Sequence, residues 1–390
     1  MAKWLEKTLG EVTAFIAKGI PPKYTEEENE NTIRVLNQKC NRNFEISYNE
    51  SRIHDCEKKK VPVDKMLRAG DVLINSTGTG TAGRVAQMVE VPVPTTIDGH
   101  MILIRPSEEL DPIYYGYAVK SFQSQIEGLA EGSTGQTEIN RRRLQDEVII
   151  RYPNDKLVQK NIGSFLANID EKIKANKEIN KNLEQQAQAI YQQMFIDNAS
   201  SDWTEGTLSD IADITMGQSP SGSSYNEDGN GTIFFQGRAE FGFRFPTVRL
   251  YTTEPKRMAC ANDTLMSVRA PVGDLNVAHT DCCIGRGLAT IHSKNNHQSF
   301  VLYTMFSLKK QLDVFNGEGT VFGSINRNSL NEMPLLIPSS EKLDEFEALV
   351  APMDAAIRNN YDEICRLEQL RDTLLSKLMS GELDVSNVEI

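Results

Sequence analysis

A glycine-rich stretch is the first feature whose residue types could do chemistry. Residues 76 to 85 read STGTGTAGRV, with three glycines and four hydroxyl side chains. Such turns let backbone N–H groups approach a phosphate closely, which raises the question of a nucleotide site. A P-loop needs Lys and then Ser or Thr after its last glycine, whereas Arg and Val follow Gly83. Gly78, Gly80 and Gly83 have the spacing of a dinucleotide-binding turn, but the surrounding βαβ unit with its acidic residue about 20 positions on is missing. The spacing therefore disfavours a nucleotide cofactor.

The sequence HTDCC, from His279 to Cys283, is the most metal-like cluster. The six cysteines show no C-x-x-C spacing, so we expect free thiols with no disulfide framework, and we expect the HTDCC residues to lie half-buried in a loop without a metal. No apolar run approaches 18 residues, and the first residues lack the apolar core of a signal peptide. These features predict a cytoplasmic protein with no membrane partner.

The formal net charge of −12 argues at first against a nucleic-acid partner. However, residues 339 to 390 hold twelve acidic and five basic side chains, more than half of the excess. The rest of the chain is near neutral and contains basic runs such as RRR at 141 to 143. Global acidity therefore does not exclude a surface that binds DNA.

An internal repeat organises the whole chain. WLEKTLGEVTAFIAKGIPP from Trp4 matches WTEGTLSDIADITMGQSP from Trp203, and EINRRRLQDEVIIRYP matches SINRNSLNEMPLLIP. The offset between matched residues falls steadily from 199 to 184 along the chain, as small loop deletions require. Chance matches would scatter, so we interpret the chain as a duplication.

Each copy has a mixed segment of short strand-like runs and one amphipathic stretch, followed by a helical segment. The predicted fold class is α+β, with two globular domains related by a pseudo-two-fold axis and joined by two long antiparallel coiled-coil helices. The predicted boundaries are a first domain at 1–155, a first helix at 156–197, a second domain at 198–338, and a second helix with the C-terminal tail at 339–390.

The helical segments carry apolar residues at alternating spacings of four and three, which is typical of a coiled coil. The central seam positions are Ile169, Ile173, Asn176, Asn180, Leu183, Ile357, Asn360, Ile364 and Leu367. Full antiparallel overlap would place Asn180 opposite Asn360 as a buried amide pair; the alternative is that both lie solvated at the seam edge. Two residues do not fit the seam: Pro352 should kink the second helix or delay its start, and Arg371 occupies a core position.

Two similar but non-identical domains at opposite ends of a rod suggest a protein that contacts DNA at two places a fixed distance apart. About 35 helical residues at 1.5 Å each give roughly 50 Å, near one and a half turns of B-DNA. Domains that share a framework but differ between framework positions would read different sequences. The expected target is therefore asymmetric and interrupted.

Several segments of the chain together resemble one known family. They are the duplicated Trp-x₄-Leu…Gly-x₂-Pro opening, the segments GDVLINSTGTGTAGRVA, NDTLMSVRAPVG and CIGRGLATI, the paired INR-x-x-L…P closings and the trailing heptads. From Trp4 to Leu383, this set resembles the specificity subunit of type I restriction-modification systems. The resemblance implies two target recognition domains that bind a bipartite site in double-stranded DNA. It also implies docking of two adenine methyltransferase subunits and of motor-nuclease subunits for cleavage.

The resemblance further implies a subunit that is not an enzyme and holds no cofactor, with S-adenosylmethionine, ATP and Mg²⁺ on the partner subunits. The sequence agrees, because the [ND]-P-P-[YF] motif of amino-methyltransferases and the Walker motif of a motor are absent. Two other functions stay open: a coiled-coil scaffold or DNA-binding adaptor outside a type I system, and an enzyme with a cofactor on the glycine-rich stretch.

Candidate DNA contacts are the arginine, amide and hydroxyl side chains near the repeated turns. In the first domain they are Thr77, Thr79, Arg84, Gln136, Asn140, Arg141, Arg142 and Arg143. In the second they are Gln236, Arg238, Arg244, Arg269, Arg286, Asn326 and Arg327. Asn140, Asn326, Arg141 and Arg327 recur in both copies, so for these four two interpretations have equal weight: contact with DNA, or a role in the shared framework or the methyltransferase contact. The repeat also aligns Gly83 with Gly273, which assigns both glycines to the framework and the variable residues before them to DNA.

Overall fold

The computed structural model describes residues 3–132, 137–317 and 323–383. The chain divides into two compact units, each made of one globular segment and part of each long helix. The first unit comprises residues 1–175 and 363–390, and the second comprises residues 176–362.

The first unit contains fourteen strands within its described residues. They are β1 (Trp4–Thr8), β2 (Thr13–Lys18), β3 (Tyr24–Thr25), β4 (Thr32–Leu36), β5 (Asn41–Arg42), β6 (Glu45–Ile46), β7 (Arg52–Asp55), β8 (Val72–Asn75), β9 (Val85–Gln87), β10 (Thr95–Ile97), β11 (Met101–Pro106), β12 (Ala130–Glu131), β13 (Glu138–Ile139) and β14 (Ile149–Pro153). Its short helices are α1 (Pro112–Ser121), α2 (Gln123–Glu127) and α3 (Arg141–Glu147). The long helix α4 (Lys156–Tyr191) follows and continues as a π-helical segment, Gln192–Asp197.

The second unit repeats this plan with eleven strands in its described part. They are β15 (Thr204–Thr207), β16 (Ala212–Met216), β17 (Tyr225–Asn226), β18 (Thr232–Phe235), β19 (Leu250–Thr252), β20 (Met258–Ala259), β21 (Thr264–Ser267), β22 (Leu275–Val277), β23 (Cys282–Ile284), β24 (Leu288–Ser293) and β25 (Pro334–Ile337). Its helices are α5 (Leu208–Ile211), α6 (Gln298–Ser307), α7 (Lys309–Leu312), α8 (Arg327–Asn331) and the start of the long α9 (Ser340–Ser380).

The two units share one sheet topology, as a duplication predicts. The central antiparallel sheet has the order β2-β11-β8-β9 in the first unit and β16-β24-β21-β22 in the second. A second sheet contains one parallel pairing in each unit, β4 with β10 and β18 with β23. A strand pair closes each globular segment, β1 with β14 and β15 with β25. The fold is α+β, with two globular domains built from the same elements.

Faces of the long helices complete each hydrophobic core. In the first unit, Ile162, Leu166 and Leu378 are buried against the globular segment. In the second unit, Phe346 and Val350 do the same. Because an amphipathic helix gains most of its stability from burying its apolar face, each globular segment and its helix ends stabilise one another.

The helices pair in antiparallel fashion within each unit. In the first unit, Ile169 and Ile173 pack against Ile364. In the second unit, the Asn360 side-chain amide donates to the Asn180 side-chain oxygen at 2.9 Å, so the predicted facing pair is present. The Asn180 amide also donates to a backbone oxygen of α9. A buried amide that finds its partner in only one alignment favours that register of the helices.

Six of the nine predicted seam positions are buried, and three are partly buried. Buried positions are Ile169, Ile173, Asn176, Asn180, Ile357 and Ile364, and partly buried positions are Leu183, Asn360 and Leu367.

Pro352 does not delay the start of the second helix, so that part of the prediction is wrong. Helix α9 begins at Ser340 and contains Pro352 in its interior. A proline there removes one backbone donor and costs about 3 kcal/mol. Burial of Phe346, Val350 and Ile357, each with no exposed surface, holds the helix together around it.

Candidate nucleic-acid interface

The glycines at the two aligned turns are framework residues. Gly83 and Gly273 have φ values of +88° and +83°, in the left-handed region that side chains disfavour. A Cβ on Gly83 would lie 2.6 Å from the Glu127 Cα, and one on Gly273 would lie 2.9 Å from the Leu312 Cβ. Each glycine lets its turn pack directly against a helix, which explains why both copies keep it.

The structure brings two predicted segments together in the first unit. Thr77 forms a β-bridge with Glu138, and the Ile139 N–H donates to the Ser76 backbone carbonyl oxygen at 2.8 Å. The turn that carries Thr77, Thr79 and Arg84 therefore lies beside the segment that leads into α3 with Asn140 and its three arginines. Gln136 lies outside the described residues.

The same two segments meet in the second unit. Arg269 forms a β-bridge with Ser324, and the Ile325 N–H donates to the Val268 oxygen at 3.1 Å. The Val268 N–H in turn donates to the Gly287 oxygen, and the Gly287 N–H to the Gln236 oxygen. These backbone links place four candidate residues on neighbouring segments: Gln236, Arg269, Arg286 and Arg327.

The recurring asparagines cap helices. The Asn140 side-chain oxygen accepts the N–H groups of Arg142 and Arg143 at the start of α3. The Asn326 oxygen accepts the Ser329 N–H at the start of α8. An N-cap stabilises its helix by about 1 kcal/mol, so both asparagines have a framework role in the structure.

The arginines differ in how far they are engaged by the protein itself. Arg143 pairs with Glu131 and with Glu147, the latter at 2.6 Å, and Arg142 lies 3.6 Å from Asp146. The Arg84 guanidinium donates to the Gly80 oxygen at 2.9 Å, across its own turn. Four exposed arginines form no side-chain hydrogen bond or ion pair with the described residues and so keep their donors available: Arg141, Arg269, Arg286 and Arg327.

Arg238 is exposed and pairs with Asp274, which directly follows Gly273. This pair ties the segment after β18 to the turn that carries Arg269.

The assignment of Arg244 to DNA contact is wrong, because the side chain is only 4% exposed. Its guanidinium lies 3.1 Å from Glu184 and 3.2 Å from Asp354 and donates to the Tyr303 hydroxyl at 3.1 Å. Sequence reasoning missed this burial because the two carboxylates lie 60 and 110 residues away along the chain.

Two residues that sequence reasoning missed belong to the first unit's surface. The His100 Nδ1 lies 2.9 Å from the Thr77 hydroxyl, and the Gln38 oxygen lies 3.5 Å from the same hydroxyl. Sequence reasoning missed them because they lie 39 and 23 residues from Thr77 along the chain, and no local pattern links them to it.

The HTDCC cluster shows no sign of a metal centre. His279 lies 2.7 Å from Asp362 and both cysteines are buried. Within the described residues, no group of three or more His, Cys, Asp or Glu side chains could hold a metal ion. Burial raises the pKa of the Cys282 thiol to about 12, which disfavours the thiolate that a metal requires.

Arg371, the unexplained seam residue, forms an ion pair in the first unit. Its guanidinium lies 2.8 Å from Asp170, which also accepts a 2.6 Å hydrogen bond from the Tyr117 hydroxyl. Tyr117 belongs to α1, so Asp170 joins the globular segment of the first unit to its long helix. A charged seam position is tolerated because both partners are satisfied.

Lys120, one turn away on α1, is a buried cation in the same region. Its ammonium lies 4.2 Å from the centre of the Phe44 ring and finds no hydrogen-bond partner among the described residues. Burial lowers the pKa of Lys120 from 10.5 to about 8. Below pH 8 the folded state carries the full cost of the buried charge. Between pH 8 and 10.5 only the unfolded state keeps the proton, so the free energy of unfolding rises with pH.

Lys120→Met should therefore stabilise the protein at pH 7 by about 1 to 3 kcal/mol. The gain should shrink as the pH rises from 8 towards 10, because the wild-type lysine then becomes neutral in the folded state. Urea unfolding of both proteins at pH 7 and 9.5 measures this, with Lys39→Met on an exposed lysine as the control for lost charge. A gain that does not change with pH would contradict the buried-charge explanation.

Comparisons with known proteins cover nearly the whole chain. Residues 1–185 and 200–358 match the family model described as the type I restriction modification DNA specificity domain. The chain is 28% identical over 377 residues to the MjaX specificity subunit of a type I restriction enzyme from Methanocaldococcus jannaschii, covering 87% of this chain and 88% of that relative. It is 24% identical over 378 residues to the MjaIX specificity subunit from the same organism, covering 88% and 83%.

A solved structure shares the fold. The S subunit of a type I restriction-modification system from M. genitalium superposes with a TM-score of 0.62 at 18% identity, over 97% of this chain and 96% of that one. None of the helices in the described part of the chain is both long and apolar enough to cross a bilayer.

Proposed function

This chain belongs to the type I restriction modification DNA specificity family, and from that premise we propose that each of its two recognition domains reads one half of an asymmetric bipartite DNA site. A specificity subunit of this kind is the non-catalytic, DNA-recognising member of its complex. In the proposal the long helices set the spacing of the half-sites and dock two adenine methyltransferase subunits. S-adenosylmethionine binds those partners, ATP and Mg²⁺ bind motor-nuclease subunits where present, and the complex acts on DNA in the cytoplasm.

One observation carries the proposal. Both units bring together the turn before the framework glycine and the segment before a capped helix, through the bridges of Thr77 with Glu138 and of Arg269 with Ser324. The frame is the same, yet the bridged position of the turn is Thr77 in the first unit and Arg269 in the second. Different donors on one frame are what two domains need to read different bases.

Co-purification and methylation mapping test this function together. Expressed with its methyltransferase partner, the chain should purify with two methyltransferase subunits, and methylated adenines should fall in one interrupted motif with two different halves. A chain that purifies alone, or a complex that methylates a continuous palindrome, would contradict the proposal.

Arg269→Ala should weaken binding of the complex to its target by about 1 to 3 kcal/mol if the guanidinium reads a base. The same change should relax the motif at one position in the second half. Band-shift titration and methylation mapping measure the two effects. Lys294→Ala is the control, because it removes the same positive charge at a different place. Lys294 directly follows β24, whereas the candidate contact Arg286 lies just before that strand. Equal losses in both variants with an unchanged motif would show that Arg269 contributes only charge.

A further inference from the structure

A tyrosine and an aspartate join recognition domain to helix at the same place in both units. Tyr117 is the sixth residue of α1 and Tyr303 the sixth of α6. Asp170 is the fifteenth residue of α4 and Asp354 the fifteenth of α9. The tyrosine hydroxyl donates to the carboxylate at 2.6 Å in the first unit and at 2.9 Å in the second. The duplication has therefore kept this hydrogen bond.

The arginine that completes the arrangement differs between the units. In the first unit it is Arg371, which comes from the long helix α9 itself. The heptads place Ala187 at the matching position of the other copy, and it is fully buried. In the second unit Arg244 supplies the guanidinium instead, from the connection between β18 and β19. Among the described residues, only the second unit's recognition domain contributes the guanidinium.

Arg244 lies in the segment that carries two candidate DNA contacts. Gln236 and Arg238 are exposed near the start of the 236–245 segment, and Arg244 and Phe245 are buried at its end. The Arg244 guanidinium is held between Glu184 on α4 and Asp354 on α9, at 3.1 and 3.2 Å.

Phe245 and the backbone strengthen this attachment. The Phe245 ring packs on Tyr361 of α9 with ring centres 4.9 Å apart. The Arg244 oxygen accepts the Val277 N–H at 2.8 Å. The segment is thus fixed at one end to both long helices.

Resting on the proposed function, we propose that Arg244 is a positioning residue that determines specificity. It fixes the 236–245 segment to α4 and α9, so that Gln236 and Arg238 meet DNA in one geometry although Arg244 itself does not touch DNA. The fork shape of the guanidinium matters, since it serves two carboxylates and a hydroxyl at once. A lysine keeps the charge and loses the fork.

Hydrogen–deuterium exchange of the full chain tests the positioning. In Arg244→Lys and in Tyr303→Phe, the backbone amides of 237–243 should exchange roughly ten-fold faster. Tyr303→Phe removes one hydroxyl and keeps the packed ring, so it guards against general misfolding. Tyr117→Phe removes the matching hydrogen bond in the first unit and should leave these amides unchanged. Wild-type exchange of 237–243 in both second-unit variants would overturn the proposal.

Methylation mapping of the complete complex tests the effect on specificity. Loss of a well-aligned bidentate base contact costs roughly five- to a hundred-fold in discrimination, so the second half of the motif should become degenerate in Arg244→Lys while the first half stays intact. Lower methylation with an unchanged motif would reduce Arg244 to an ordinary stability role and overturn the proposal. If the wild-type complex methylates no bipartite site, the proposed function fails, whereas the exchange measurement still decides the positioning.

Discussion

Exchange of residues 1–155 for the first recognition domain of a relative should change one half of the methylated motif and leave the other half unchanged. The physical reason is that each unit has its own sheets and hydrophobic core, so the second domain keeps its fold and its candidate contacts. Because a half-site is defined by several base contacts, each worth about 1 to 3 kcal/mol, the old half-site should lose essentially all recognition. Methylation mapping of cells that carry the hybrid measures the outcome.

The hybrid must preserve what joins the domain to the helices. The first core includes Ile162, Leu166 and Leu378 of the long helices, and Tyr117 donates to Asp170. A donor domain with a tyrosine at the position of Tyr117 and apolar residues facing these helices is therefore the right choice. The reciprocal exchange of 198–338 is the control and should change only the other half. Alteration of both halves by one exchange would contradict independent reading.

Gly83→Ala should destabilise the protein far more than Gly80→Ala. Both glycines have positive φ, +88° and +71°, so both variants strain the backbone by about 1 to 2 kcal/mol. Only Gly83 packs against a neighbour that cannot move aside, the Glu127 backbone, whereas a Cβ on Gly80 meets nothing within 4 Å. Overpacking adds about 1 to 3 kcal/mol, so we expect a total of about 2 to 5 kcal/mol for Gly83→Ala.

Urea unfolding followed by circular dichroism compares these two variants directly, and Gly80→Ala is the internal control because it shares the turn and the sign of φ. Equal losses would mean that backbone conformation alone explains the glycines. The expected difference would instead show that Gly83 is kept for the contact between turn and helix. Because Gly80→Ala should keep the fold, its DNA affinity then measures the contribution of the turn conformation to DNA binding.

Local sequence patterns were sufficient to predict the repeat, the two long helices and the antiparallel register of those helices. The spacing of apolar residues in α4 and α9 reports the buried face of each helix, because helical periodicity is a local property. The Asn180–Asn360 pair followed from that spacing and from full overlap of the seams, and the structure contains it at 2.9 Å. The two framework glycines were recognisable for a similar reason, since a positive φ restricts the residue type at that one position.

Only the tertiary structure decided which arginines are available to DNA. Arg244 looks in the sequence like Arg238 and Arg269, yet it is buried because Glu184 and Asp354 come to it from two helices. Arg371 is likewise explained only by Asp170, which is 201 residues away. The exposure of a charged side chain depends on which distant groups the packing brings within about 4 Å, and no local pattern encodes that. The sequence thus determined the framework and its repetition, while the tertiary structure decided which polar side chains are exposed and which are buried in ion pairs.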